Sequence, residues 1–231
     1  MDDQLSLTFD DGGDDRAPEL PVRLPVRVPT AAGRPFDDDS FYFEPWWPGT
    51  HAYLRRLGRH VELQIEHLSD PLVTFPDLAA DLADLTADGL IVEGTLLALD
   101  AEGRPDVALL RRRLRGDRQA AAEGAFVASD LVYLEGRSLS RKPYAERRRM
   151  LVSAVQDSAH RAVGRGLPGE GVTLGRAAAS LGLGDISGRR LDSGWKAGAA
   201  GDAWLRLAVT QEPASPTRPL MVLLEKLPFD A

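Results

Sequence analysis

The chain has 231 residues, 43% of them hydrophobic, enough to bury one domain-sized core. Its formal net charge of −7 argues against a surface built throughout to track a polyanion. The absence of cysteine excludes disulfides, thiolate metal sites and cysteine nucleophiles. No apolar run approaches a membrane span, and the start, Met1-Asp2-Asp3-Gln4, is acidic where a secretory signal would be basic, so a cytoplasmic protein is expected.

Residues 1–34 read as a disordered or extended leader. The run Asp10-Asp11-Gly12-Gly13-Asp14-Asp15 is too charged to join a core. Residues 20–29 alternate apolar and polar side chains but carry prolines that cannot donate ladder hydrogen bonds, which fits an extended arm on the domain surface. From Phe41 the pattern is strand-like. Residues 50–56 and 61–66 read as a hairpin turning at Leu57-Gly58-Arg59, with Val61, Leu63 and Ile65 on its buried face. Phe75-Pro76-Asp77-Leu78 opens a helix, with proline in the first turn, Asp77 favouring the dipole, and Leu78, Leu82 and Leu85 on one face. Its end is expected near Asp88-Gly89.

Residues 90–99 form an apolar strand, closed by the turn Asp100-Ala101-Glu102-Gly103, and a helix runs from Pro105 to a stop at Gly116. Residues 126–134 read as a buried strand and 143–155 as a helix with Ala145, Met150, Leu151 and Ala154 inward. The arginines of 111–115 and 147–149 read as solvated faces, with phosphate contact as the sharper alternative. Thr173 is placed to cap a helix ending near Gly182, and residues 186–191 and 203–209 are short strands. The tail, residues 210–231, supplies at most one added strand through its apolar run 220–224. Hairpin strands with interspersed helices predict one α+β domain over residues 35–209, built on antiparallel sheets.

Several collinear segments carry more information than any one alone. They are Phe43-Glu44-Pro45-Trp46-Trp47-Pro48-Gly49, Phe75-Pro76-Asp77-Leu78, Leu97-Ala98-Leu99-Asp100-Ala101-Glu102-Gly103-Arg104-Pro105-Asp106, Asp130-Leu131-Val132-Tyr133-Leu134-Glu135-Gly136-Arg137 and Asp202-Ala203-Trp204-Leu205. Together they resemble the adenylation domain of the ATP-dependent DNA ligases, most closely the ligase modules of bacterial end-joining repair. The resemblance covers residues 35–207 and implies that family's α+β fold. The family continues into an oligonucleotide-binding barrel, and the 24 residues after Leu207 are too few for five strands, so no such barrel is expected.

In that family a lysine attacks the α-phosphate of ATP, acidic residues hold magnesium and cations neutralise the phosphates. Carried over position by position, the resemblance puts Trp46 at the lysine, Pro48 at the following aspartate and His51 at an arginine. Glu66 falls on a further arginine, Thr95 and Gly184 on glutamates, Arg189 on a lysine, and Arg206 and Ala208 on the closing lysine pair. Glu93, Asp130 and Trp47 complete a remnant pocket. Nearly every polar catalytic position is altered, which implies a non-catalytic, ligase-like scaffold or regulator of DNA repair. Such a protein needs neither cofactor nor metal and works through a protein partner, with weak DNA contact at most. The alternative is an active ATP- and Mg²⁺-dependent ligase or nucleotidyltransferase with Lys142, Lys196 or Lys226 as displaced nucleophile. A second alternative is a nucleic-acid-binding module, with Trp46 and Trp47 as a stacking platform. Alanine- and arginine-rich usage points to a GC-rich bacterial source.

Overall fold

Alternating and continuous apolar runs assemble two sheets in the computed structural model, which describes residues 20–66, 68, 71–210 and 214–227. Residues 1–19, with the acidic run Asp10–Asp15, and Pro213 of the tail lie outside the described residues. In chain order the first elements are β1 (Arg27–Val28), β2 (Thr30–Ala31), β3 (Asp37–Pro45), β4 (Thr50–Leu57), β5 (His60–Ile65), α1 (Pro76–Ala83), β6 (Leu90–Leu99), α2 (Val107–Leu114) and β7 (Glu123–Leu134). They are followed by β8 (Arg137–Ser138), α3 (Tyr144–Ala154), β9 (Arg161–Val163), β10 (Leu167–Glu170), α4 (Gly171–Ser180), β11 (Asp185–Arg190), β12 (Gly198–Ala199), β13 (Trp204–Ala208) and α5 (Leu220–Lys226).

One sheet runs β5-β4-β6-β7-β8, with β9 on the same edge of β7; the other runs β10-β3-β11-β13-β2. Their principal pairings are antiparallel, giving a mixed α/β architecture, and there is no five-stranded barrel among the described residues. Period-two alternation divides β6 between two cores: Leu96 and Ala98 join the helices α1 and α2 in one, while Leu97 and Leu99 face Phe43, Ile186 and Leu207 of the other sheet. Gly94 lets β6 lie close against β7, because a Cβ there would run into Val127 O and the Phe126 ring.

Several elements differ from their sequence expectation. Helix α1 stops at Ala83, short of Asp88-Gly89, because Leu85 has already turned into the core. Thr173 lies inside α4, whose first residue is Gly171. The run expected as an added strand is the helix α5, held on the core by buried Leu220, Leu223 and Leu224. Spacing of three and four between those leucines is a helical signal that five apolar residues alone leave ambiguous. The arm is extended from Leu20 onward: Leu20 and Leu24 pack on Tyr53, Ile91 and Val132, β1 pairs β12, and β2 pairs β13.

Candidate functional site

The two sheets meet around the segment that follows β3. Pro45 is the last residue of the strand, the Trp46 amide donates to Asp185 O (3.1 Å) and the Gly49 amide to Trp47 O (2.9 Å). This turn delivers both tryptophans to the space between the sheets. Antiparallel register sets Arg189 opposite Trp204 and Ser187 opposite Arg206, and His51 opposite Thr95. Between β6 and β7 the pairing passes from Glu93↔Asp130 to Gly94↔Ala128, leaving Ser129 as the extra residue of a bulge. Its Oγ donates to Glu93 O and accepts from Arg189 Nη2 (3.0 Å).

The result is a closed cleft. Arg206, Trp46, Trp204 and Arg189 form a layered stack: guanidinium to ring 4.5 Å, ring to ring 5.9 Å, ring to guanidinium 4.3 Å. Each such contact stabilises by on the order of 1 kcal/mol. Glu44, Trp46, Trp47, His51, Thr95, Ser129, Arg189 and Trp204 are among the residues that line a cavity of about 40 Å³. Small-molecule sites measure roughly 300–1,000 Å³, so this one admits nothing of nucleotide size.

Behind the cavity lies a buried ionic cluster. Arg147 is fully buried and grips Asp130 with two bonds of 2.8 Å. Arg189 Nη2 donates to Glu93 (3.1 Å), the Trp195 indole to Glu93 (2.7 Å), and Arg148 to Glu44 (2.9 Å). From the arm, Arg27 stands 3.5 Å from Glu93 and 3.6 Å from Asp130. Burial pushes the Glu93 carboxyl up, but Arg189 and Arg27 outweigh it and hold the group well below the usual carboxylate range. At Glu44 burial prevails over Arg148 and Arg189, and its pKa rises to about 6. Burial lowers the Arg189 pKa, yet Glu93 and its neighbours more than compensate and keep it above the ordinary arginine value.

The positions singled out in the sequence separate into two sets. Trp46, Trp47, His51, Thr95 and Arg189 line the cavity, with Glu93 and Asp130 in contact through Arg189. Pro48 is buried in the turn; Glu66, just past β5, and Ala208 are exposed; Gly184 is buried before β11. None of those four lines the cavity. Arg206 is exposed, paired with Asp185 and covering Trp46. Lys142, Lys196 and Lys226 are the chain's three lysines; all are exposed and none lines the cavity.

Reading 147–149 as one solvated face was incorrect. Arg147 is buried, Arg148 half-buried, and only Arg149 exposed. Asp130 and Glu44 draw the first two inward, and Tyr144 replaces Ala145 as a buried residue of α3. Arg27, Trp195 and Trp204 are further members of the site that sequence reasoning missed. The signal available for Trp204 was its place in Asp202-Ala203-Trp204-Leu205, one strand across from Arg189. Among the described residues, no group of three or more His, Asp or Glu side chains is arranged to hold a metal ion.

Two sheets enclosing a cleft, with the motif positions along its walls, define a ligase-type adenylation domain. The chain's homologues and structural neighbours are ATP-dependent DNA ligase adenylation domains of the LigD type. It is 29% identical over 166 residues to the multifunctional non-homologous end joining protein LigD of Mycolicibacterium smegmatis, covering 71% of this chain and 21% of that protein. Against the SPbeta prophage-derived DNA ligase-like protein LigB of Bacillus subtilis the identity is 25%, covering 75% and 63%. A mycobacterial DNA ligase D structure, complexed with ATP and MES, superposes with a TM-score of 0.65 at 25% identity, over 80% of this chain and 60% of that one. This chain therefore spans about a fifth of the mycobacterial relative's length and under two thirds of the prophage protein's. No family model matches it.

Proposed function

We propose that this chain is a ligase-like protein that transfers no adenylyl group and serves DNA repair as a scaffold or regulator. The observation that carries the reading is the filled cleft. Trp46 stands at the position the resemblance gives to the nucleophilic lysine, and its stack with Trp204 and Arg189 leaves about 40 Å³. An indole cannot form the phosphoramidate that covalent adenylation requires. The residues present do not fit ATP and magnesium: there is no room for the nucleotide, and Glu93 and Asp130 are already held by guanidinium groups and an indole N–H. Among the described residues no helix is long and apolar enough to cross a membrane. A role beside end-joining factors rests on analogy with the mycobacterial relative's name; a protein partner, with weak DNA contact at most, belongs to the same proposal.

The test is incubation with α-labelled ATP and Mg²⁺ or Mn²⁺, followed by denaturing electrophoresis beside an authentic ligase. No covalent label is expected on this chain while the ligase is labelled. A labelled band that disappears in Lys196→Ala would overturn the reading in favour of an active enzyme with a displaced nucleophile.

A further inference from the structure

The cavity between the sheets is lined in part by side-chain donors. Trp47 Nε1, Arg189 Nε and Arg189 Nη1 are buried nitrogens with no hydrogen-bond acceptor among the described residues, and Trp47 and Arg189 are 5% and 3% exposed. His51 Nε2 is also buried; it lies 3.3 Å from Glu93 Oε1 without hydrogen-bonding geometry. Trp47, His51 and Arg189 all line the same cavity, with the hydroxyl side chains of Thr95, Ser129 and Ser187. A buried donor without an acceptor costs about 1–3 kcal/mol, more when charged; Trp47 Nε1 is such a donor, and Arg189 Nη1 and Nε stand 3.6 Å from Asp130 and 3.7 Å from Glu44, beyond hydrogen-bonding reach.

The charge count points the same way. The ionic cluster sets four guanidinium groups, Arg27, Arg147, Arg148 and Arg189, against three carboxylates, Glu44, Glu93 and Asp130. Glu44 also lines the cavity, but Arg148 holds its Oε1 at 2.9 Å, and Arg189 Nε stands 3.7 Å from its Oε2. An unbalanced buried cation is costly, and a counter-charge inside the cluster offsets it. Size sets the last condition. The cavity, about 40 Å³ where one water needs roughly 10–15 Å³ of such space, holds a solute of a few atoms and no nucleotide. A metal cation meets N–H donors and a guanidinium there, and is repelled.

We propose that this cavity is a binding site for one small monovalent anion of chloride's size, held by the Trp47 indole N–H and the Arg189 guanidinium. The ion occupies the floor of the old adenylation cleft, neutralises the fourth guanidinium and fixes the two sheets against each other. The inference rests on the reading that the cleft no longer admits a nucleotide.

The experiment uses the whole chain, dialysed into sodium gluconate and titrated with sodium bromide at constant ionic strength. Tryptophan fluorescence and thermal midpoint are followed in solution, and bromide anomalous diffraction is measured from crystals. Expected are saturable one-site quenching, a rise of the midpoint that saturates with it, and one anomalous peak beside Trp47 Nε1 and the Arg189 guanidinium. Trp47→Phe, which keeps a ring but loses the N–H, abolishes the saturable response. Arg189→Gln, which removes the cation excess, does so independently if the first variant fails to fold. A linear response matching gluconate with no anomalous peak overturns the proposal, as does a saturable response that survives in the folded variants. Labelling with α-labelled ATP is run in parallel. A covalent label with bromide binding intact refutes only the closed-cleft reading, whereas absence of both label and bromide binding refutes only the anion site.

Discussion

Replacing Arg147 by methionine tests the ionic cluster at its most buried point. The wild-type side chain is fully buried and donates two bonds of 2.8 Å to Asp130, with Nη1 serving the carbonyls of Lys142 (2.5 Å) and Ser193 (2.9 Å). Unit charges about 4 Å apart attract by about 4 kcal/mol at an effective dielectric constant near 20. Removing one partner of such a pair costs about 3–5 kcal/mol, because the other charge stays buried. Here Arg27 and Arg189, each 3.6 Å from Asp130, offset part of the loss. We therefore expect the lower end, about 3 kcal/mol, or a fall in Tm of about 6–12 °C. Urea denaturation at neutral pH with an unchanged m-value measures it. The double variant Arg147→Met/Asp130→Leu is expected to recover about half of the loss, since it removes the carboxylate whose bidentate partner is gone. A single-variant cost below about 1 kcal/mol, or a double variant as costly as the two singles added, would refute the reasoning.

Four further outcomes are expected. Because burial raises the folded-state pKa of Glu44 to about 6 from an ordinary 4.5, the folded protein binds the proton more tightly than the unfolded chain. That group's contribution is full below pH 4.5 and is lost as pH rises through 6, by about 2 kcal/mol. The stability difference between wild type and Glu44→Gln should change by that amount across this window, favouring wild type at the acid end. Trp46→Lys restores the lysine of the resemblance but should give no covalent adenylate with labelled ATP, because Trp204 and Arg189 still fill the cleft; a labelled band would show that one substitution alone silenced the site. Gly94→Ala forces a methyl against Val127 O and the Phe126 ring and should destabilise by about 1–3 kcal/mol in urea. Leu223→Ala, at a fully buried α5 position, should cost about 2–5 kcal/mol; a value near zero would mean that α5 does not pack on the core in solution.

The parts of the fold legible in the sequence were those where polarity and periodicity agree. The hairpin turns at Gly58, which has a φ of 60°, between strands whose Leu63 and Ile65 are buried. Likewise β6 is buried from Leu90 to Leu99 apart from half-buried Thr95, and its run is apolar but for Glu93 and Thr95. Legibility failed where a buried charge carries the packing. Arg147 and Arg148 look like surface residues until Asp130 and Glu44 are known to be inside, and no local pattern says so. The edge strand β10 contains Pro168 and Gly169, with a register shift between them, and so lacks any alternation to read. At the site, collinear motifs located Trp46, His51, Thr95 and Arg189, because those positions sit on strands whose order is preserved. Arg27 lay hidden for the opposite reason: it reaches Glu93 across 66 residues of sequence.

The arm that carries Arg27 ties distant parts of the chain together within about a dozen residues. Leu24 exchanges two hydrogen bonds with the Gln64 side chain, Tyr53 Oη donates to Pro25 O, Val28 pairs with Ala199, and Thr30 with Leu205. The first two contacts lie on one sheet and the last on the other. Any spreading of the sheets in solution must therefore unfasten this seam as well, so hinge opening and arm release become one cooperative event rather than two.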